Sequence, residues 1–155
     1  MICGLDTMAL IWGLRDVGNT EPEMEKRALI LLKQLDADEA DVVISSITVA
    51  ELLTPLDPKT QTGFLAELHK QFRIAPFDLS AAALAADLYR TSMATHDPRT
   101  RQGRKVVRAD TLIVASLKMA GARSFYSHDR NCRNMVQRAG MVAHEWPTHS
   151  EKLFE

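Results

Sequence analysis

Short apolar runs alternate with longer stretches of helical spacing along nearly the whole chain, and this alternation is what most constrains the fold. Strands separated by helix-length segments pair in parallel, so the pattern predicts an α/β domain with a mostly parallel sheet. A first strand is expected over about residues 2–6, followed by a short helix around Thr7–Leu14. Pro22 opens a second helix, which carries Met24, Ala28, Leu31, Leu32 and Leu35 at helical spacing. A strand near 41–45 leads to a helix containing Glu51, with Ser46 or Thr48 as its cap. Pro55 and Pro58 break or restart that helix, and another follows near 59–71. Arg73 to Phe77 reads as a strand, and Asp78 or Ser80 caps an alanine-rich helix reaching about residue 95. Residues 96–108 read as a basic loop, and the next helix starts at Ala109 and stops near Gly121. A strand at 124–128, a helix over Asn131–Ala139 and a last strand over Met141–Glu145 complete the pattern. From Trp146 onward there is no pattern, so residues 146–155 are expected to form a C-terminal tail on a single domain of residues 1–145.

Four acids fall where such a fold brings distant segments together. Asp6 ends the first apolar run, Glu51 lies in the helix after the second strand, Asp110 opens a helical stretch, and Asp129 follows Phe125-Tyr126-Ser127-His128. In open parallel sheets, sites form beyond the carboxyl ends of the strands. Clustered carboxylates repel one another unless a hard divalent cation neutralises them, so the set reads as a metal site. Asp110 is the sharpest of the four, because it shares a helical stripe with Ile113, Val114 and Leu117 and so faces the sheet. Each of the others has an ordinary alternative: Asp6 as a helix cap, Glu51 as an exposed helix acid, Asp129 as a turn residue. His128 alternates away from Asp129 on a strand and makes a poor co-ligand. His69, His96, His144 and His149 lack paired spacing, while Asp78 reads as a cap, Asp87 as exposed and Asp97 as a turn residue.

The net charge of −1 conceals an asymmetry. Residues 99–138 hold ten basic side chains and two acids, a local charge of +8, against nine basic and eighteen acidic elsewhere. Those two acids are Asp110 and Asp129. Basic surface beside a metal site suits a polyanion, and a solvated Arg-rich face is the plainer reading. No run of about 18 apolar residues exists and the N-terminus shows no secretion signal, so a cytoplasmic chain without a membrane span is expected. Cys3 and Cys132 have no metal-ligand spacing and are expected to be reduced thiols.

These residues resemble the PIN domain, and within it the VapC-type ribonuclease toxins of bacterial toxin–antitoxin pairs. Leu5-Asp6-Thr7 with Leu10-Ile11-Trp12 looks like the first motif of that family, and Ser46-Ile47-Thr48-Val49-Ala50-Glu51-Leu52 like the second. Ala109-Asp110-Thr111-Leu112-Ile113-Val114-Ala115 is similar to the third, and Ser127-His128-Asp129 to the fourth. The resemblance spans residues 1 to about 145. Cys132 departs from it by standing where many relatives have an aromatic residue, and the basic segment 96–108 is longer and more charged than usual.

The resemblance implies a PIN-like three-layer α/β/α fold around a central, mostly parallel sheet of four to five strands. It also implies Mg²⁺- or Mn²⁺-dependent cleavage of RNA by a metal-activated water, leaving a 5′-phosphate and a 3′-hydroxyl. Asp6, Glu51, Asp110 and Asp129 would hold the metal, with Thr7, Ser127 and Asn131 orienting them. Arg99, Arg101, Arg104, Lys105 and Arg108 are candidates for RNA phosphate contacts. A small antitoxin protein and a second copy of the chain are the expected partners. A housekeeping RNA-processing nuclease and a non-catalytic RNA- or protein-binding module remain open alternatives. A phosphatase with an aspartate nucleophile is disfavoured, since Met8 stands where its Asp-x-Asp motif needs a second acid.

Overall fold

The computed structural model of the chain describes residues 1–14, 21–95 and 103–148. In chain order the elements are β1 (Ile2–Leu5), α1 (Thr7–Leu14), α2 (Pro22–Ala37), β2 (Asp41–Ser45), α3 (Ser46–Leu53) and α4 (Pro58–Gln71). They continue with β3 (Arg73–Ala75), α5 (Leu79–Thr95), α6 (Arg104–Met119), β4 (Ser124–Tyr126), α7 (Arg130–Arg138) and β5 (Val142–His144). The five strands form one sheet in the order β3-β2-β1-β4-β5, with every pairing parallel. The α/β class and the parallel sheet match the sequence expectation.

Period-two alternation divides the strands between two cores. Cys3, Leu5, Ile44 and Tyr126 face one layer, with Leu10 of α1, Leu31 and Leu35 of α2, and Leu68 of α4. Val43 and Phe125 face the other, with Leu88 of α5, Val114 and Leu117 of α6, and Val136 of α7. Helices thus cover both faces, as a parallel sheet requires. Gly4 lets α6 lie close to the central strand: a Cβ there would stand 2.6 Å from Leu117 Cδ1 and 3.1 Å from Phe125 Cδ2.

The helix starts are set by local chemistry. Ser45 Oγ accepts from Ile47 N, Asp57 Oδ1 from Lys59 and Thr60 N, and Asp78 Oδ1 from Ala81 N. The first of these corrects the cap expected at Ser46 or Thr48. Ser46 instead accepts from Phe77 N, and Thr48 is buried. Gly121, at φ +90°, follows the end of α6 in the left-handed conformation that glycine tolerates best.

Two further expectations are corrected. Helix α6 starts at Arg104, not Ala109, so Arg104, Lys105 and Arg108 are helical rather than part of a loop. Arg and Lys are good helix formers, and Val107 buries itself in the core to anchor the extra turn. His96, Asp97, Arg99 and Arg101 lie outside the described residues. Trp146, expected in a patternless tail, is fully buried against the α1–α2 layer. Arg27 holds it there by donating to the Trp146 and Pro147 carbonyls at 2.9 and 3.2 Å. No helix among the described residues is long and apolar enough to cross a membrane.

Candidate active site

The chain builds β1, β2 and β3 outward to one side, then returns to place β4 and β5 on the other side of β1. The reversal lies between β1 and β4, and open α/β sheets bind ligands at such a point beyond the strand ends. Asp6 follows β1 directly and Ser127 follows β4 directly. Between them opens a cleft of about 360 Å³ lined by Asp6, Thr7, Glu51, Lys105, Asp110, Ser127, His128, Asp129 and Cys132, among others. All four sequence-selected carboxylates line it. They come from the end of β1, the last turn of α3, the second turn of α6 and the start of α7.

Asp6 is buried, and its Oδ1 accepts from Ala9 N at 3.0 Å, capping α1 from the site side. The Ser127 hydroxyl also bonds the Asp6 carboxylate, while Ser127 Oγ accepts from Asp129 N at 3.1 Å. Ser127 therefore ties the first acid to the fourth. Asp129 caps α7, its Oδ1 accepting from Asn131 N at 2.8 Å and Cys132 N at 3.4 Å. The Asn131 backbone N–H thus braces the fourth acid. Thr7 Oγ1 lies 3.0 Å from Thr48 Oγ1, in a buried pair, and within hydrogen-bonding reach of Glu51. Glu51 is exposed as a residue, but its carboxyl tip turns toward Thr7 and the cleft.

The electrostatics are those of crowded, buried acids. Burial raises Asp110 to about 7, and the charges of Asp129, Asp6 and Glu51 add to the rise. Burial likewise raises Asp6 to about 6 against the opposing hydrogen bonds of Ser127 and Ala9. Glu51 is also raised by burial, with the Thr7 hydroxyl pulling it back. Such coupled acids titrate as a group. Burial pushes the Cys132 thiol up.

The donor set suits a hard divalent cation, which would remove the mutual repulsion. Among the described residues no three acidic, histidine or cysteine side chains converge closely enough to hold a metal ion directly. Magnesium does not require that, since it keeps several waters and uses one or two carboxylates. Lys105 stands at the rim of the cleft, and Arg104 and Arg108 are exposed on the same first turns of α6. Arg108 also lies 5.1 Å above the Tyr89 ring. A larger groove of about 580 Å³, lined by residues such as Gly13, Leu32, Lys70 and Phe72, gathers no acidic cluster.

No protein-family model and no curated protein matches the chain. Solved structures do. VapBC from Salmonella typhimurium, bound to DNA, aligns over 95% of this chain and 99% of its own, with a TM-score of 0.61 and 18% identity. VapBC2 from Rickettsia felis, bound to a DNA fragment from their promoter, aligns over 95% and 100%, with a TM-score of 0.58 and 16% identity. The fold is that of the PIN domain. FitAcB from Neisseria gonorrhoeae shares it at 25% identity over 92% of this chain and 96% of its own, with a TM-score of 0.57. Within this PIN fold the four acids occupy one crevice.

The strand expected through residue 128 stops at Tyr126, so period-two alternation does not turn His128 away from the site. The imidazole lines the cleft, with Nδ1 3.8 Å from Asp6 Oδ2. The signal available was its place inside the fourth motif, between Ser127 and Asp129.

Proposed function

We propose that this chain is a metal-dependent ribonuclease and the toxin member of a toxin–antitoxin pair. The observation that carries the reading is the convergence of Asp6, Glu51, Asp110 and Asp129 on one cleft, with Asp6 and Asp110 raised by burial and by neighbouring carboxylates. Acids held this way are unfavourable without a cation and suited to one. Mg²⁺ or Mn²⁺, when bound, supplies an acidified water and neutralises charge on the phosphate being cut. The chain's own residues prepare that site. Ser127 and Ala9 N fix the Asp6 carboxyl, Asn131 N and Cys132 N fix Asp129, and Thr7 steadies Glu51. Lys105 at the rim, with Arg104 and Arg108 beyond it, draws in the RNA backbone.

The partners follow from the same reading. The similar structures were solved as VapBC and Fit complexes, so a small antitoxin is the expected binding protein. A homodimer in the cytoplasm is the expected assembly, which sedimentation of the purified chain would check. The nuclease is tested by incubating total cellular RNA with the protein in Mg²⁺, Mn²⁺ or EDTA, beside Asp110→Asn. Metal-dependent cuts that vanish in the variant are expected, and sequencing their ends names the target. Equal cuts in both proteins, or none in either, would leave a binding module instead.

A further inference from the structure

His128 is the polar residue of the cleft for which the nuclease reading supplies no role. Its Nδ1 is shut away from solvent and makes no hydrogen bond, while the side chain as a whole is 31% exposed along the cleft. A buried ring nitrogen without a partner is costly, so its placement needs a reason. The charged atom it faces is Asp6 Oδ2, at 3.8 Å. The other Asp6 oxygen is already held by Ala9 N. At about 3 Å this contact would be a hydrogen bond.

The ring has little other freedom. Trp146 lies tilted against it, centroids 4.8 Å apart at 50°. Behind it, Arg133 donates to the Ser127 carbonyl at 3.0 Å and pairs with Glu145 at 3.7 Å. Arg27 grips Glu145 from α2 at 3.3 Å. The loop carrying His128 is therefore clamped between the start of α7 and the chain beyond β5, with the imidazole edge turned to Asp6.

We infer that His128 is a positioning residue, whose Nδ1–H holds the outer oxygen of Asp6 in the orientation that receives a divalent cation. The inference rests on the nuclease reading and adds to it a determinant of cation affinity. Outer partners of ligating carboxylates fix their direction, and their loss typically lowers metal affinity or activity about 10–100-fold.

The test uses the full chain and Mn²⁺ alone. An asparagine at 128 can place an amide N–H where Nδ1 stands, whereas glutamine places it where Nε2 stands. Calorimetric titration should give near wild-type Mn²⁺ affinity for His128→Asn and a loss of about 10–100-fold for His128→Gln. Circular dichroism of both variants checks that each is folded. In the wild type, nitrogen-15 spectra of the imidazole should show the Nδ1–H tautomer, and Asp6→Asn should shift that signal. Equal affinities in the two variants, or an Nε2–H tautomer in the wild type, would overturn the inference. If the wild type takes up no Mn²⁺ and cuts no RNA, the nuclease reading fails by itself, and the tautomer and its response to Asp6→Asn still decide the His128–Asp6 pair.

Discussion

Replacing Asp110 by Asn should stabilise the metal-free protein above neutral pH. The Asp110 carboxyl rises from 3.8 to about 7 on folding, through burial first and then the charges of Asp129, Asp6 and Glu51. A carboxyl whose folded value lies above its unfolded one contributes stability that is fully present below about 3.8. That contribution is lost as pH rises through about 7. The gap is roughly three pH units, and at 1.36 kcal/mol each the ceiling is about 4 kcal/mol. Neighbouring acids share the repulsion, so about 2–4 kcal/mol is expected at pH 8. For a chain of this size that is a rise in Tm of roughly 4–16 °C. The assay is thermal or urea unfolding of both proteins in EDTA at pH 4 and pH 8. The variant should gain at pH 8 and differ little at pH 4, where both side chains are neutral. Added Mn²⁺ should narrow the gap, because it stabilises only the folded protein that binds it. A variant no more stable than wild type at pH 8, or a gain equal at both pH values, would refute the account of the cleft.

Other expectations concern packing and charge. Trp146→Ala should cost about 3–5 kcal/mol in urea unfolding, since the ring is fully buried in the α1–α2 layer. Gly4→Ala should cost about 1–3 kcal/mol, because its Cβ would meet the fully buried Leu117 and Phe125 side chains. Arg104→Gln and Lys105→Gln should weaken binding to single-stranded RNA, and each should flatten the dependence of log K on log salt by about 0.7 where it contacts a phosphate. A salt slope identical to wild type would remove these residues from the RNA path.

Strands, helices and the four acids were legible because each is written locally. Asp6 breaks an apolar run, Asp110 sits on an apolar stripe, and a strand-helix alternation has few ways to fold. The start of α6 was not legible. Arg104 to Arg108 has the composition of a solvated loop, and only the burial of Val107 shows that a helix begins there. The role of His128 depended on where β4 ends, and element boundaries respond to tertiary pairing: β4 is limited to three residues by its partners β1 and β5. Trp146 has no periodic neighbours. It packs into the α1–α2 layer more than a hundred positions earlier, where Arg27 donates to the Trp146 and Pro147 carbonyls. Contacts of that range leave no local mark in a sequence.

The strand order also governs when activity can exist. The central strand β1 is made before its sheet neighbours, yet its pairing with β4 waits for residues 124–126. Asp6 meets Ser127 and Asp129 only after that docking. A nascent chain therefore carries half a cleft and an unpaired strand edge until residues 124–129 are made. Under the nuclease reading the site stays incomplete until those residues are in place. A fragment ending at residue 120 should take up no Mn²⁺ in the calorimeter, and uptake by that fragment would contradict this order of assembly.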